Sequence, residues 1–139
     1  MGAMIVTGVT HEQLPALYPT LRWAFESFAE RCVDKCEAED LAAQVMAQTS
    51  QCWIAWDGEI RAVALTEVRV HREKSVVMTH CAGDGREEWQ EKMVTTIRDW
   101  AKEIGATTFG TVNRPGWTPF LRKMGLRETH RVMEQDNRS

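Results

Sequence analysis

The run Val76-Val77-Met78-Thr79-His80-Cys81-Ala82-Gly83-Asp84-Gly85-Arg86 lies near the middle of the chain. Its apolar start breaks at two glycines, and a segment of different period begins at once. Trp89, Met93, Ile97, Trp100 and Ile104 recur at spacings of four, four, three and four, which is one face of a long helix. Gly105 follows in the place where helices stop. The stretch therefore reads as a strand, a tight turn and a helix start. Such a junction turns unpaired backbone N–H groups and the positive end of the helix dipole outward. Anions bind there, phosphate esters in particular.

Upstream, Gln51-Cys52-Trp53-Ile54-Ala55-Trp56 is a strand. Asp57-Gly58 follows, the strongest short hairpin signal, and then a long strand from Glu59 to His71. His71-Arg72-Glu73-Lys74 is a polar turn, and Ser75 to Cys81 forms the next strand, so three strands make an antiparallel meander. Downstream, Thr107 to Val112 is a strand reached through the long helix, a crossover that sets two strands parallel. A short helix spans Trp117 to Met124 and ends at Gly125. Leu126 to Met133 is expected to be the last strand.

The opening is rich in helix signals. Ile5 to Val9 is a short strand. Thr10 caps a helix, and Gln13 three places on completes a capping box. Leu14, Leu17 and Leu21 keep helical spacing, but Pro19 falls among them. Two helices with a break are expected, the second from about Pro19 to Arg31 through Phe25 and Phe28. A third helix, about Glu37 to Gln48, presents Leu41, Val45 and Met46 on one face. Met1-Gly2-Ala3 reads as a cloning scar ahead of a start at Met4, leaving one domain over residues 4–139.

The chain has 139 residues, 43% hydrophobic and 27% charged, enough for a core that needs neither disulfide nor metal. A net charge of -3 gives no nucleic-acid footprint and no affinity for an anionic membrane. No apolar run reaches the roughly 20 residues of a membrane span, and no secretory signal is read, so a cytoplasmic location is expected. Cys32, Cys36, Cys52 and Cys81 form neither a CxxC pair nor a Cys/His cluster. No metal is expected, and reduced thiols are. The six tryptophans are read as core and groove lining.

Three features stand in one order: the Asp57-Gly58 hairpin into a long strand, the strand ending His80-Cys81-Ala82-Gly83-Asp84-Gly85 before a helix, and the segment Asn113-Arg114-Pro115-Gly116-Trp117-Thr118-Pro119-Phe120-Leu121-Arg122-Lys123-Met124-Gly125-Leu126. Together they resemble the GNAT superfamily of N-acetyltransferases over essentially the whole chain. The signature Gln/Arg-x-x-Gly-x-Gly/Ala is met by Gly83 and Gly85, with His80 in its first place. The late segment resembles a branch of small proteins encoded by phages and prophages. The resemblance implies an α/β (α+β) fold, with a mixed, mostly antiparallel central sheet flanked by helices and one parallel strand–helix–strand crossover. It implies acetyl-CoA as co-substrate. Gly83, Asp84, Gly85 and Arg86 would hold the diphosphate, and Met78 and His80 would pair with the pantetheine arm through their main chains. The acceptor would be an amine on a small molecule or a protein, met in a bacterial host's cytoplasm if the chain is phage-encoded.

Amide formation needs a base for the ammonium and an acid for the CoA thiolate. Family members often use a strand Glu and a late-helix Tyr. Glu67, in the middle of the long strand, is the candidate base, and His80 is the second, since an imidazole titrates near neutral pH. Both faces of Glu67's strand carry apolar residues, so alternation leaves its direction open. Counting back four from Gly125 reaches Leu121, so the family's Tyr is absent. Tyr18 belongs to the opening helices and is read as core. Asp84, Glu87 and Glu88 crowd the turn with negative charge, against Arg86, with Arg114 and Arg122 in the following segment. These departures motivate a second reading, a catalytically degenerate GNAT-fold phage protein that binds and modulates a host protein.

Overall fold

The computed structural model describes residues 3–31, 36–112 and 117–127. Asn113 to Gly116, Arg114 among them, and nearly all of the expected last strand lie outside this set. In chain order the elements are β1 (Ile5–Val9), α1 (Leu14–Glu30), α2 (Ala38–Met46), β2 (Gln51–Trp56), β3 (Ile60–Val70), β4 (Lys74–Gly83), α3 (Arg86–Glu103), β5 (Thr108–Thr111) and α4 (Thr118–Lys123).

One sheet runs in the order β1-β2-β3-β4-β5. Its first three pairings are antiparallel and the last, β4 with β5, is parallel. This is the mixed, mostly antiparallel sheet with one crossover that the sequence leads one to expect. A three-residue turn with Asp57 N–H donating to Glu59 C=O closes the β2–β3 hairpin. The Asp57 carboxylate accepts from Arg61 Nε at 2.9 Å, and that bond holds it below the usual carboxylate range.

Two cores flank the sheet. On one face Val63 and Leu65 of β3 pack with Leu21, Phe25 and Phe28 of α1 and Leu41 and Val45 of α2. On the other, Ala62 and Ala64 of β3 and Val76 and Met78 of β4 pack with Trp89, Met93, Val94 and Ile97 of α3. The α3 stripe is the one its spacing announced.

α1 departs from expectation: it is one helix of 17 residues with Pro19 inside it. An interior proline costs about 3 kcal/mol through a lost hydrogen bond and a clash with the carbonyl four residues back. Here Pro19 is on the exposed side. Leu21, Phe25 and Phe28 are buried on the opposite side, at about 1.5–3 kcal/mol each, which outweighs the break. The Thr10/Gln13 box forms in both directions, at 3.0 and 3.1 Å.

The thiols also depart. Cys52 and Cys81 are free, but Cys36 is disulfide-bonded. Lack of metal-ligand spacing argues against zinc and is silent on disulfides, which is why the expectation of reduced thiols fails at this residue. Among the described residues, no helix is long and apolar enough to cross a membrane.

Candidate functional site

β4 pairs with β5 only from Ser75 to Met78, opposite Thr108 to Thr111. The strand itself continues to Gly83. His80 to Gly83 thus have a partner in β3 and, among the described residues, none on the β5 side. Met78 belongs to the paired part: its carbonyl accepts the Val112 N–H at 2.9 Å. The main chain free for an extended ligand therefore begins after Met78, one step later than the sequence suggests.

A bulge marks the same point. Leu65 lies opposite His80 and Thr66 opposite Met78, so Thr79 is an extra residue in β4. Its hydroxyl donates to the Leu65 carbonyl at 3.3 Å. A bulge re-phases the side chains beyond it. Met78 is in the α3 core, whereas His80 packs on Phe28 of α1 with ring centroids 5.2 Å apart. Without the bulge, residues two apart would share a face.

β3 has no extra residue here, so Glu67 follows Val63 and Leu65 onto the α1 face. The open question of its direction is answered: it is on His80's side of the sheet. Glu67 Oε2 pairs with Arg69 Nη2 at 3.2 Å, and its side chain is 33% exposed. His80 Nδ1 lies 2.9 Å from Thr79 Oγ1. Burial lowers the basicity of His80, and the nearby Glu67 charge works against that shift. The two candidate bases are thus brought together.

The two glycines of the turn are required for different reasons. A Cβ on Gly83 would come within 2.4 Å of the Arg61 carbonyl and 2.7 Å of Ala62 Cβ, so this glycine lets β4 close on β3. Gly85 precedes α3 with φ 64° and ψ 45°, the left-handed conformation that favours glycine. The Asp84 N–H donates to Arg61 C=O at 3.3 Å, and the Glu88 N–H donates to Gly85 C=O at 2.9 Å. No side chain caps α3. The amides of Gly85, Arg86 and Glu87 are the ones left for an anion, and Asp84's is engaged by the fold.

A cleft of about 300 Å³ lies along this free edge, lined by Arg31, Cys81, Ala82, Gly83, Arg86, Trp89 and Trp117. Its walls come from both faces of the sheet. The indole of Trp89 donates to the Asp84 carbonyl at 2.7 Å and lies 6.0 Å from Trp117. Arg31 and Trp89, and with them Ala82 and Trp117, escaped the sequence reading as site residues. The first stands at the end of a helix remote in sequence, and the second reads as core. Arg122 is exposed on α4 and does not line the cleft. Cys81 does, but burial pushes its thiol up to about 12. Leu121 is buried in the α3 core. Tyr18 packs edge-on against Phe25 at 5.3 Å, as a core residue should.

No protein-family model matches the chain, and no curated protein is similar to it in sequence. Solved structures are similar to it in fold. The aminoglycoside N-acetyltransferase AAC(6')-Iy in complex with CoA is 15% identical, with a TM-score of 0.72 over 100% of this chain and 97% of that one. An aminoglycoside acetyltransferase from an uncultured soil metagenomic sample, in complex with sisomicin, is 15% identical, with a TM-score of 0.69 over 96% and 94%. A predicted acetyltransferase from Clostridium acetobutylicum with acetyl-CoA is 15% identical, with a TM-score of 0.68 over 96% of each chain. The chain has the GNAT fold. At this identity the likeness is one of GNAT architecture, and these names say nothing of the phage origin or host partner expected above.

Proposed function

We propose that this chain is an acetyl-CoA-dependent N-acetyltransferase acting on an amine. One observation carries the reading: among the described residues the β5-side edge of β4 beyond Met78 has no strand partner and runs straight into the uncapped start of α3, with a cleft beside it. An extended thioester with amide groups along its arm fits such an edge as an added strand would. Its diphosphate fits the Gly85, Arg86 and Glu87 amides at the helix start. GNAT-fold structures holding CoA and acetyl-CoA support the same choice of donor, and one holding sisomicin supports an amine acceptor.

In this reading the donor supplies a thioester carbonyl. The chain supplies Glu67, with His80 beside it, to take a proton from the acceptor's ammonium, directly or through water, and so free the amine that attacks. Backbone N–H groups at the Thr79 bulge polarise the carbonyl oxygen as it gains charge. The amine nitrogen forms a bond to carbon and sheds its extra proton to water, the carbon–sulfur bond breaks, and the thiolate leaves. α4 offers Leu121 where a tyrosine would serve, and Cys81 holds its own proton firmly, so solvent protonates the thiolate.

The test is calorimetry with acetyl-CoA, followed by release of free thiol on adding polyamine or aminoglycoside acceptors. Binding with turnover supports the reading, and a folded protein that ignores millimolar acetyl-CoA sinks it. The second reading, a degenerate GNAT-fold protein that engages a host protein, is favoured by Trp23 and Trp56, which are 43% and 42% exposed. Donor binding without any turnover, together with one reproducible bacterial partner in a pull-down, would favour it instead.

A further inference from the structure

Given the acetyl-CoA reading above, on which this assignment rests, we infer that Arg31 is the second cation of the donor's diphosphate site. It works opposite Arg86. Arg31 is the residue that ends α1, and it lines the cleft together with Gly83 and Arg86. The path of α1 explains its position. Phe28 packs on His80, so the next turn of the helix arrives beside Ala82 and Gly83.

The need for such a group follows from the charges at the turn. Asp84, Glu87 and Glu88 are exposed around it; among the described residues Arg86 is the basic side chain on the turn itself, and Arg61, which feels the Glu88 charge, is paired with Asp57 and Glu59. On the turn itself a diphosphate would meet three carboxylates and the Arg86 guanidinium. The strand brings no cation either. His80 stands where the signature has Gln or Arg, but its ring is held by Phe28 and Thr79 and does not line the cleft. Arg31 reaches the same cleft from a different element. Its planar fork suits phosphate oxygens, and charge-assisted bonds of this kind are strong. Two guanidiniums from opposite walls would then hold the diphosphate in the presence of the acidic turn.

Calorimetry with CoA and 3′-dephospho-CoA tests this. Arg31 is exposed at a helix end, so Arg31→Ala is expected to melt with the wild type. It should weaken both ligands by the same factor, about tenfold for one lost charge-assisted bond. Arg31→Lys should recover part of the loss. Unchanged CoA affinity in folded Arg31→Ala overturns the assignment. So does a loss that disappears with dephospho-CoA, which would place Arg31 on the 3′-phosphate, and so does a loss that Lys does not relieve. If the wild type binds CoA in these trials, the donor reading stands whichever way Arg31 behaves. If it binds none, that reading falls and this assignment with it.

Discussion

The imidazole of His80 lies against the ring of Phe28, centroids 5.2 Å apart and planes at 47°. Its Nδ1 faces the Thr79 hydroxyl. Burial there keeps the ring neutral below its ordinary value of 6.5, with Glu67 opposing the shift. The folded chain takes up this proton less readily than the unfolded one. The stability concerned is fully present above about pH 6.5 and is lost as pH falls through the depressed folded value. Urea unfolding of the wild type should weaken over that window more than that of His80→Gln. Parallel pH curves for the two would remove this account of His80.

Glu67 shares His80's face and keeps 33% of its side chain exposed, so a solvent water can carry its proton away. Glu67→Gln should lower kcat by about 10²–10⁴, the usual weight of a general base, and leave the KM for acetyl-CoA unchanged. A loss that appears in the donor's KM would assign Glu67 to binding instead.

Gly83 and Gly85 separate packing from conformation. Gly83→Ala pushes a methyl group into the backbone of β3 and should cost about 1–3 kcal/mol in urea unfolding. Gly85→Ala meets no atom closer than 3.9 Å, and should cost about 1–2 kcal/mol through the left-handed backbone alone. Raising side-chain size further, to Val, should aggravate the first far more than Gly83→Ala alone does.

Thr66 is fully buried and joins two strands. It accepts from Trp53 Nε1 at 3.0 Å and donates to Gln51 Oε1 at 2.9 Å. Thr66→Val strands the indole N–H and should destabilise by about 1–3 kcal/mol. In a Trp53→Phe background the same change should cost clearly less, which a double-mutant cycle by urea unfolding reads directly.

Cys52 and Cys81 are both pushed up to about 12 by burial. At pH 8 only about one part in 10⁴ is thiolate, the form that reacts. Iodoacetamide should therefore leave both unmodified in the folded protein and label both in urea, as intact and denatured mass spectra would show.

Where chemistry is local, the residues alone announce the structure. The Thr10/Gln13 box, the Asp57-Gly58 hairpin, the α3 stripe and the turn at Gly83 and Gly85 each need only neighbours in sequence. What depends on distant contacts is hidden. Pro19 looks like a break until Phe25 and Phe28 are seen buried beneath the same helix. Thr79 looks like any strand residue until β3 is laid beside it. Arg31 reaches the cleft only because α1 crosses β4 at His80. Glu67 and His80 were readable as chemistry, but their shared face was not, since it depends on one unpaired place in the strand.

That unpaired place has a consequence for insertions and deletions. Removing Thr79 would leave Met78 and His80 as neighbours on opposite faces, where they already stand, so the pairing with β3 and the flanks of His80 to Gly83 would be kept. What would go is the Thr79 hydroxyl, with its contacts to the Leu65 carbonyl and the His80 ring, and the local kink where β4 parts from β5. The extra residue is one step of slack in the strand, and a single missing codon at this point should be absorbed by the sheet.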